Sequence, residues 1–303
     1  MIFALLFIFS VESAFASTIV RDLFQTHNTI VFNDIVKRFE IEGPVLIGGN
    51  TSVLQSIQFG ANIPLYKEDI ILASFGNIDA GENWINLNLG SIISPNQKSS
   101  LNINFNSGGT FSTSLDDWNS YLQNQIGIMS IDQLYQETIN YSTFLSNLSF
   151  SGTVNTTDPN KFQFIGDGNQ FSAMNIDATV LSGARGIEIN LNGSETLIVS
   201  VTNANANSID INANFLGNQN QVIWNFVDSE IININGSRWQ GAILAPNADL
   251  FLKGGYNGTV FASSLRADDE GHFNPIVAPI PEPSVFLVLS FFAIYLCAHR
   301  KRY

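Results

Sequence analysis

The chain has 303 residues and a formal net charge of −13, and only 13% of its residues are charged. An acidic surface argues against nucleic acid and anionic lipid as partners, because both bind clustered Lys and Arg. The only cysteine is Cys297, so the rest of the chain can form neither a disulfide nor a thiol site. Hydrophobic residues make up 45% of the chain, which is enough for a large core.

The N-terminus has the pattern of a cleavable export signal. Ile2 to Phe9 is an unbroken apolar run, and the small-x-small triplet AFA follows it at residues 14–16. Signal peptidase cleaves after such triplets because only small side chains fit its pockets. We therefore predict a signal peptide over residues 1–16, cleaved after Ala16. A buried N-terminal strand is the alternative, since no Lys or Arg precedes the run.

Most of the chain beyond this segment alternates apolar and polar residues with the period of a β-strand. The clearest segments place mostly Asn at the polar positions: 84–89, 101–106, 187–192, 209–214 and 231–235. Gly-containing turns separate them, which is typical of a sandwich, a barrel or a solenoid. Asn is unfavourable in ordinary strands, but its amide bonds to equivalent amides where strands stack in register. The pattern therefore favours a β-solenoid (β-helix), irregular because no strict repeat period is visible.

One stretch, from Leu115 to Leu148, has its apolar residues at helical spacing instead. Ser114 fits an N-cap, because two aspartates follow it in the first turn. Gly127 and Ser130 predict a break between two helical pieces. We expect one long or broken α-helix, at about residues 115–148, packed alongside the β-solenoid through its apolar stripe.

Two tryptophan motifs mark the C-terminal half, WNF at residues 224–226 and WQGAILAPNA at residues 239–248. We predict that Trp224 and Trp239 are core anchors of adjacent rungs, because large aromatic rings dominate core energetics. Gly241 would let its strand pack closely against a neighbour. Pro246 is predicted to end that strand, with Asn247 in the following turn.

These motifs resemble the pattern of the choice-of-anchor A domain family. Three further segments also match its pattern: EGPVLIGGN at 42–50, NGTVFASSL at 257–265 and EGHF at 270–273. The resemblance spans roughly residues 23–275, and its specific part is the C-terminal half. It implies an extracellular, adhesin-like domain over residues 17–276, with a β-solenoid body and a flanking helix. Similar architecture occurs in ice-binding proteins and some bacterial adhesins. The resemblance implies no catalytic residues.

The C-terminus has a short hydrophobic run between a proline motif and a basic tail. Pro281, Glu282 and Pro283 precede the uncharged run 285–298, and the basic tail 299–302 follows it. The run has about 14 residues, whereas a full membrane crossing takes about 20. A buried helix would show a polar face, which this run lacks. We therefore predict a C-terminal transmembrane helix over 285–298, with the basic tail in the cytoplasm.

The motif, the run and the tail, in this order, resemble a PEP-CTERM sorting signal, which would occupy residues 277–303. The resemblance implies that an exosortase-type processing enzyme in the inner membrane of a Gram-negative bacterium recognises Pro281, Glu282 and Pro283. It predicts an exported protein of the cell surface or extracellular matrix, at least transiently anchored in the inner membrane. Members of the choice-of-anchor A family carry this signal, so the two resemblances agree.

Residues that carry chemistry are sparse. The chain has three histidines, His27, His272 and His299, and only His272 follows a carboxylate cluster. That cluster consists of Asp268, Asp269 and Glu270. Zinc needs three or four converging ligands, so we expect no metal site, no cofactor and no catalytic residue. Calcium binding to the three carboxylates stays open, because calcium takes oxygen ligands.

We interpret the chain as a non-enzymatic surface protein, structural or adhesive, that binds polysaccharide or another surface. One alternative is an ice-binding protein, which needs a flat, regular array of Thr; the segment TFSTS at residues 110–114 is the only hint. The other alternative is a polysaccharide-active β-helix enzyme. Such an enzyme needs carboxylates clustered with basic residues, and the chain has only 13 Lys and Arg.

The terminal signals predict the location of the protein in the cell. Deleting Pro281, Glu282 and Pro283 should trap the exported protein at the inner membrane, because the processing enzyme loses its recognition motif. Fractionation of cells that express the full chain or the deletion variant checks this. Cytoplasmic protein in both cases would contradict the prediction of export.

Overall fold

The structure is a computed structural model that describes residues 18–61, 69–202 and 208–282. Three predicted features lie outside the described residues, namely the signal peptide with Ala16, the anchor 285–298 and Pro283 of the sorting motif. Within the described ranges, no helix has both the length and the hydropathy that a membrane crossing requires.

Short strands dominate the chain. In chain order they are β1 (Thr29–Val31), β2 (Ile35–Lys37), β3 (Val45–Ile47), β4 (Thr51–Val53), β5 (Ile57–Phe59), β6 (Ile70–Ser74), β7 (Ile78–Asp79), β8 (Trp84–Leu87), β9 (Ser91–Ile93), β10 (Asn102–Phe105), β11 (Phe111–Ser112), β12 (Thr153–Asn155), β13 (Phe162–Ile165), β14 (Phe171–Asp177), β15 (Gly186–Asn190), β16 (Thr196–Thr202), β17 (Ser208–Ile211), β18 (Asn214–Phe215), β19 (Val222–Phe226), β20 (Ile231–Ile234), β21 (Trp239–Gln240), β22 (Ala242–Leu252), β23 (Tyr256–Asn257), β24 (Val260–Ala267) and β25 (Gly271–His272).

These strands wind as a solenoid with three faces, which we call A, B and C. Face A has the strand order β11-β9-β6-β3-β1-β24-β22-β19-β16-β14. Face B has the order β7-β4-β2-β24-β22-β20-β17, since β22 and β24 each run across two faces. Face C joins β10-β8-β5, β25-β23-β21 and β18-β15-β13-β12. Strand pairs are parallel apart from β12 with β13, and the predicted β-solenoid is therefore confirmed.

The order of the strands does not follow the order of the chain. The first strand, β1, lies between β3 and β24 in face A, so the first coil pairs with the last one. We call this junction the seam. It has one parallel pairing on each face: Thr29 with Val260, Ile35 with Leu265, and Ile41 with Gly271. The N-terminal strands, from β1 to β11, add coils outwards from one side of the seam. The C-terminal strands, from β14 to β24, start at the opposite end of the solenoid and wind back to the seam.

The helices are α1 (residues 18–26), α2 (Leu115–Tyr121), a π-turn (Leu122–Ile126), α3 (Ile131–Ser146) and α4 (Ala178–Ser182). The broken helix predicted at 115–148 is confirmed. Ser114 caps α2 by accepting from the Asp117 backbone N–H at 3.2 Å, and Ser130 caps α3 in the same way. Gly127 has φ +85°, which is the left-handed conformation that ends a helix.

Face A is apolar on both of its sides because it separates two cores. In β3, Val45 and Ile47 point into the solenoid, whereas Leu46 packs under the helices. Leu134 and Tyr141 of α3 belong to this second core. Strands that are buried on both sides read as continuous apolar runs. The helices therefore cover face A and leave faces B and C without a covering layer.

The tryptophan motifs form the inner core, as predicted. Trp224 and Trp239 are fully buried, and their ring centroids lie 5.0 Å apart in an edge-on arrangement. Gly241 has φ +91°, and a Cβ on it would lie 2.4 Å from Val222, so the predicted close approach is confirmed. The prediction that Pro246 ends its strand is wrong. Strand β22 continues to Leu252 with a register shift after Ala245, because proline is accepted where a strand bends between faces.

Candidate binding face

A regular polar surface lies on the N-terminal half of face C. Strands β8 and β10 pair in register there, with Ile85 opposite Ile103 pointing inwards. Their polar positions point outwards, as the alternation predicts. We call this surface the amide platform, and it comprises Trp84, Asn86, Asn88, Asn102, Asn104 and Asn106.

Hydrogen bonds between neighbouring rungs hold the platform amides in place. Asn106 Nδ2 donates to Asn88 Oδ1 at 2.9 Å, and Asn104 Nδ2 donates to Asn86 Oδ1 at 3.4 Å. Asn104 Nδ2 also donates to Asn106 Oδ1 at 2.9 Å along the same strand. This is the stacking that the Asn-rich segments predict. Each amide offers two donor hydrogens and two acceptor lone pairs, so capacity remains on the solvent side.

Trp84 is the aromatic member of the platform. Its side chain is 50% exposed, although the other tryptophans of the solenoid, Trp224 and Trp239, are buried. It lies opposite Asn102, and its backbone N–H donates to Ser56 Oγ at 3.1 Å. An exposed tryptophan on a flat sheet loses the stabilisation of burial, and exposed aromatic residues are enriched in binding surfaces. The platform combines this ring with five amides and no charge.

A cluster of charged groups lies on face C where it reaches the seam. His272 Nδ1 lies 2.8 Å from Glu42 Oε1, and its Nε2 lies 3.2 Å from Glu270 Oε2. Arg238 is also 3.2 Å from Glu270. Burial raises the pKa of the neighbouring Glu40, and the negative charges of Glu270 and Glu42 raise it further. The contact between His272 and Glu42 therefore links the last coil to the first one across the seam.

The three carboxylates considered for calcium have separate surroundings. Asp268 lies 3.4 Å from Arg266, and Glu270 lies beside His272 and Arg238. The backbone carbonyl of Asp269 accepts a hydrogen bond from Lys37. In the described parts of the chain, no three His, Cys, Asp or Glu side chains are grouped so that they could hold a metal ion.

Lys37 is a buried cation beneath the seam that the sequence analysis did not identify. Its side chain is fully buried, and Nζ lies 5.4 Å from the ring centroid of Tyr256. Burial lowers the pKa of Lys37 to about 7, against the attraction of nearby carboxylates such as Asp269. A sequence signal for it did exist. Lys37 lies two residues after the inward-pointing Ile35 in β2, and side chains two apart in a strand point to the same side, so Lys37 also points inwards.

His27 is also buried, and it connects two helical segments. Its ring lies 3.0 Å from Thr26 Oγ1 and 3.1 Å from the Tyr121 hydroxyl. Burial lowers the pKa of His27 to about 4, so the imidazole is neutral at physiological pH. Its hydrogen bond joins α1 to α2 beneath the protein surface.

Face B carries a different outward row. Its members in register are Asp210, Asn233, Phe251, Arg266, Val36, Ser52 and Asp79. Charged, apolar and polar side chains are mixed in this row. In the described strands of faces B and C, Thr occurs at Thr51, which is buried, and at Thr153, which is exposed. A single exposed Thr is not the regular array that an ice-binding face needs.

Comparison with known proteins assigns the family. A family model described as "Putative Ice-binding-like adhesive domain" matches residues 21–273. The chain belongs to this family. The adhesin-like character expected from the sequence is thereby confirmed, and it indicates an extracellular or surface protein. The choice-of-anchor A and PEP-CTERM resemblances stay predictions. No curated protein matches the sequence.

Two solved structures are similar to this member of the ice-binding-like adhesive domain family. One is an ice-binding protein from the Antarctic ascomycete Antarctomyces psychrotrophicus, at 11% identity over 82% of this chain and 95% of that chain, with a TM-score of 0.34. The other is an ice-binding protein from an Antarctic bacterium, Flavobacteriaceae, at 12% identity over 83% of this chain and 66% of that chain, with a TM-score of 0.32.

The buried Lys37 predicts how stability depends on pH. Its pKa is about 7 in the folded protein and about 10.4 in an unfolded chain. Between these values the unfolded chain binds more protons, so the free energy of unfolding should rise with pH by up to ~1.4 kcal/mol per unit. Lys37→Met should remove this rise, whereas Lys253→Met, at an exposed position, should keep it. Urea unfolding at pH 7, 8 and 9 measures the slopes. Equal slopes for the two variants would show that Lys37 is not the titrating group.

Proposed function

We propose that this protein is a surface adhesive domain that holds extracellular polysaccharide against face C. The observation that carries the proposal is the amide platform, an uncovered sheet with an exposed Trp84 and an aligned set of asparagines. Family membership supports adhesion. The polysaccharide ligand is an inference from the chemistry of the platform.

The platform presents its polar groups at fixed intervals. Adjacent parallel strands lie about 4.8 Å apart, and residues two apart along a strand lie about 6.6 Å apart on the same side. Asn104 and Asn106 are held at such positions by bonds to Asn86 and Asn88. Amides that are already held in place lose little conformational entropy when a ligand binds. A polymer rich in hydroxyl groups can both donate to and accept from them.

Trp84 supplies apolar contact area at one end of the amide rows. Its indole is amphipathic, with a large apolar face and one N–H donor. Sugar rings have the complementary property of an apolar C–H face surrounded by hydroxyl groups. The chain has a net charge of −13, and like charges repel. The platform therefore suits a neutral polysaccharide better than an anionic one.

The polysaccharide-active enzyme is a weaker proposal. It would need an acid and a base facing a substrate in a groove. On face C the nearest constellation is Glu42 with His272 and Glu270, and each of these groups has a charged or hydrogen-bonded partner at the seam. We therefore propose a binding function without catalysis.

Ice binding is the second candidate, because the family description names it. An ice-binding face would also be flat and regular, as the platform is. The platform side chains are Asn and Trp, whereas the expected feature is a row of Thr. Adhesion through polysaccharide therefore remains the function that the side chains support best.

Delivery to the cell surface remains part of the proposal, with a signal peptide cleaved after Ala16 and an exosortase-type enzyme acting near Pro283. The last described residues lie against the helices, which locates the point where the C-terminal tail begins. The Tyr141 hydroxyl of α3 donates to the Pro281 carbonyl at 2.8 Å, and Arg21 of α1 forms an ion pair with Glu282. The chain therefore leaves the domain beside the helices. A tail attached there would leave the amide platform free for ligand.

The proposal predicts the effect of changing the platform aromatic residue. Trp84→Ala should weaken retention on neutral polysaccharide by about 5- to 30-fold, since an aromatic contact in a binding surface contributes roughly 1–2 kcal/mol. Stability should change little, because Trp84 is half exposed. Phe150→Ala is the control, at an exposed aromatic residue outside the platform. Affinity chromatography on dextran, mannan and cellulose, with alginate as the anionic comparison, measures the effect.

Two outcomes would count against polysaccharide adhesion. Equal retention of Trp84→Ala and Phe150→Ala on every polymer that binds the unaltered protein would show that the platform is not the binding surface. Thermal hysteresis that the unaltered protein produces and Trp84→Ala loses would assign the platform to ice.

A further inference from the structure

We propose a second saccharide site, separate from the amide platform, in a groove at the outer end of face A. The groove lies between the last strands of this face and the segment formed by α2 and the π-turn. Its polar lining includes Ser91, Thr110, Ser112, Asp117, Asn124 and Gln125. We call it the terminal groove. This proposal goes beyond the adhesive function of the platform.

The size and floor of the terminal groove fit a small ligand. Its volume is about 530 Å³, and small-molecule sites usually occupy about 300–1,000 Å³. Ile70 and Ile93 form an apolar floor, from strands β6 and β9. An apolar floor with polar walls is the usual composition of such a site.

The π-turn is the unusual element of its wall. Leu122 O accepts from the Gly127 N–H at 2.8 Å, a separation of five residues instead of four. Turns of this kind are rare, and they occur frequently at functional sites. Leu122 and Ile126 are buried and anchor the turn. The extra residue in the turn leaves Asn124 and Gln125 exposed at the groove.

The side-chain amides of the turn are available to a ligand. Within the described residues, Asn124 and Gln125 form no hydrogen bond through their side chains. One carboxylate oxygen of Asp117 already accepts a hydrogen bond, because Ser112 Oγ donates to Oδ2 at 2.5 Å. Its other oxygen, Oδ1, has no partner in the described part of the chain. One carboxylate oxygen and two amides therefore face the groove with free capacity.

The opposite wall is fixed by hydroxyl groups. The Thr110 backbone N–H and its Oγ1 both donate to Ser91 Oγ, at 3.0 and 3.1 Å. The Ser91 hydroxyl hydrogen therefore remains to be donated. The two walls together present donors and acceptors across an apolar floor.

This lining selects a neutral oligosaccharide as the ligand class. No Lys or Arg is among the described lining residues, so nothing would neutralise a carboxylate or sulfate on a sugar. Asp117 would repel such a group and would accept bonds from sugar hydroxyls. The apolar floor suits the C–H face of a sugar ring.

The position of the terminal groove relates it to the platform. Strand β8 of the platform continues into β9, and β10 continues into β11. The same two coils therefore carry the platform on face C and the groove on face A. A polymer that lies across the platform could place its terminal sugars in the groove. The two sites can be tested separately, because they share no residue.

The test uses the full-length protein and four tetrasaccharides, namely cellotetraose, maltotetraose, mannotetraose and tetragalacturonate. Isothermal titration and saturation-transfer NMR measure binding to the unaltered protein and to the Asn124→Ala/Gln125→Ala variant. We expect at least one neutral tetrasaccharide to bind, with affinity reduced at least 5-fold in the double variant. Tetragalacturonate should bind more weakly than the neutral ligand.

The control is Gln123→Ala, which changes an exposed amide of the same π-turn that does not line the groove. It should bind like the unaltered protein, whereas Trp84→Ala should lose only the part of the binding that belongs to the platform. No binding of any neutral tetrasaccharide at millimolar concentration would overturn the proposal, and so would equal affinity in the double variant. Binding that only Trp84→Ala abolishes would leave the platform as the saccharide site and reject the groove.

Discussion

The parallel pairing of β1 with β24 is the interaction on which the rest of the structure depends. It joins Thr29 to Val260, so almost the whole domain lies between the paired residues. Closing so long a segment costs entropy, although the cost grows only by about 0.6 kcal/mol per doubling. Specific bonds offset it: Asn28 Nδ2 donates to the carbonyls of Gly258 and His272, and Thr29 Oγ1 lies 2.5 Å from the Tyr256 hydroxyl.

The seam also explains why one face is covered and the others are not. The chain winds outwards from the seam and reaches one end of the solenoid after β11. Because β14 lies at the opposite end, the chain must cross the whole length of the solenoid between these two strands. The segment with α2, the π-turn and α3 makes this crossing along face A. Its apolar stripe buries Leu46 and Phe261, and the tail adds Ile276 and Ile280. Covering face A in this way leaves the amide platform free for a ligand.

The sequence predicts the local structure of each segment, but it does not predict which strands lie next to each other. Alternation identified the strands, and Gly127 with Ser130 located the break in the helix, because these signals depend on nearby residues. Nothing local indicates that β1 pairs with β24, since many strands share the same pattern. Lys37 was missed because a charged residue is normally exposed. The platform was predicted only as outward asparagines; its alignment with Trp84 follows from the register of β8 and β10.

Contact between neutral polysaccharide and the amide platform can be observed by NMR of the side-chain amide and indole N–H groups, recorded while a neutral oligosaccharide that the protein binds is added. The signals of Trp84, Asn86 and Asn104 should shift, and the signal of Asn233 on face B should stay unchanged. Shifts at Asn233 with no change at Trp84 and the platform asparagines would contradict this prediction.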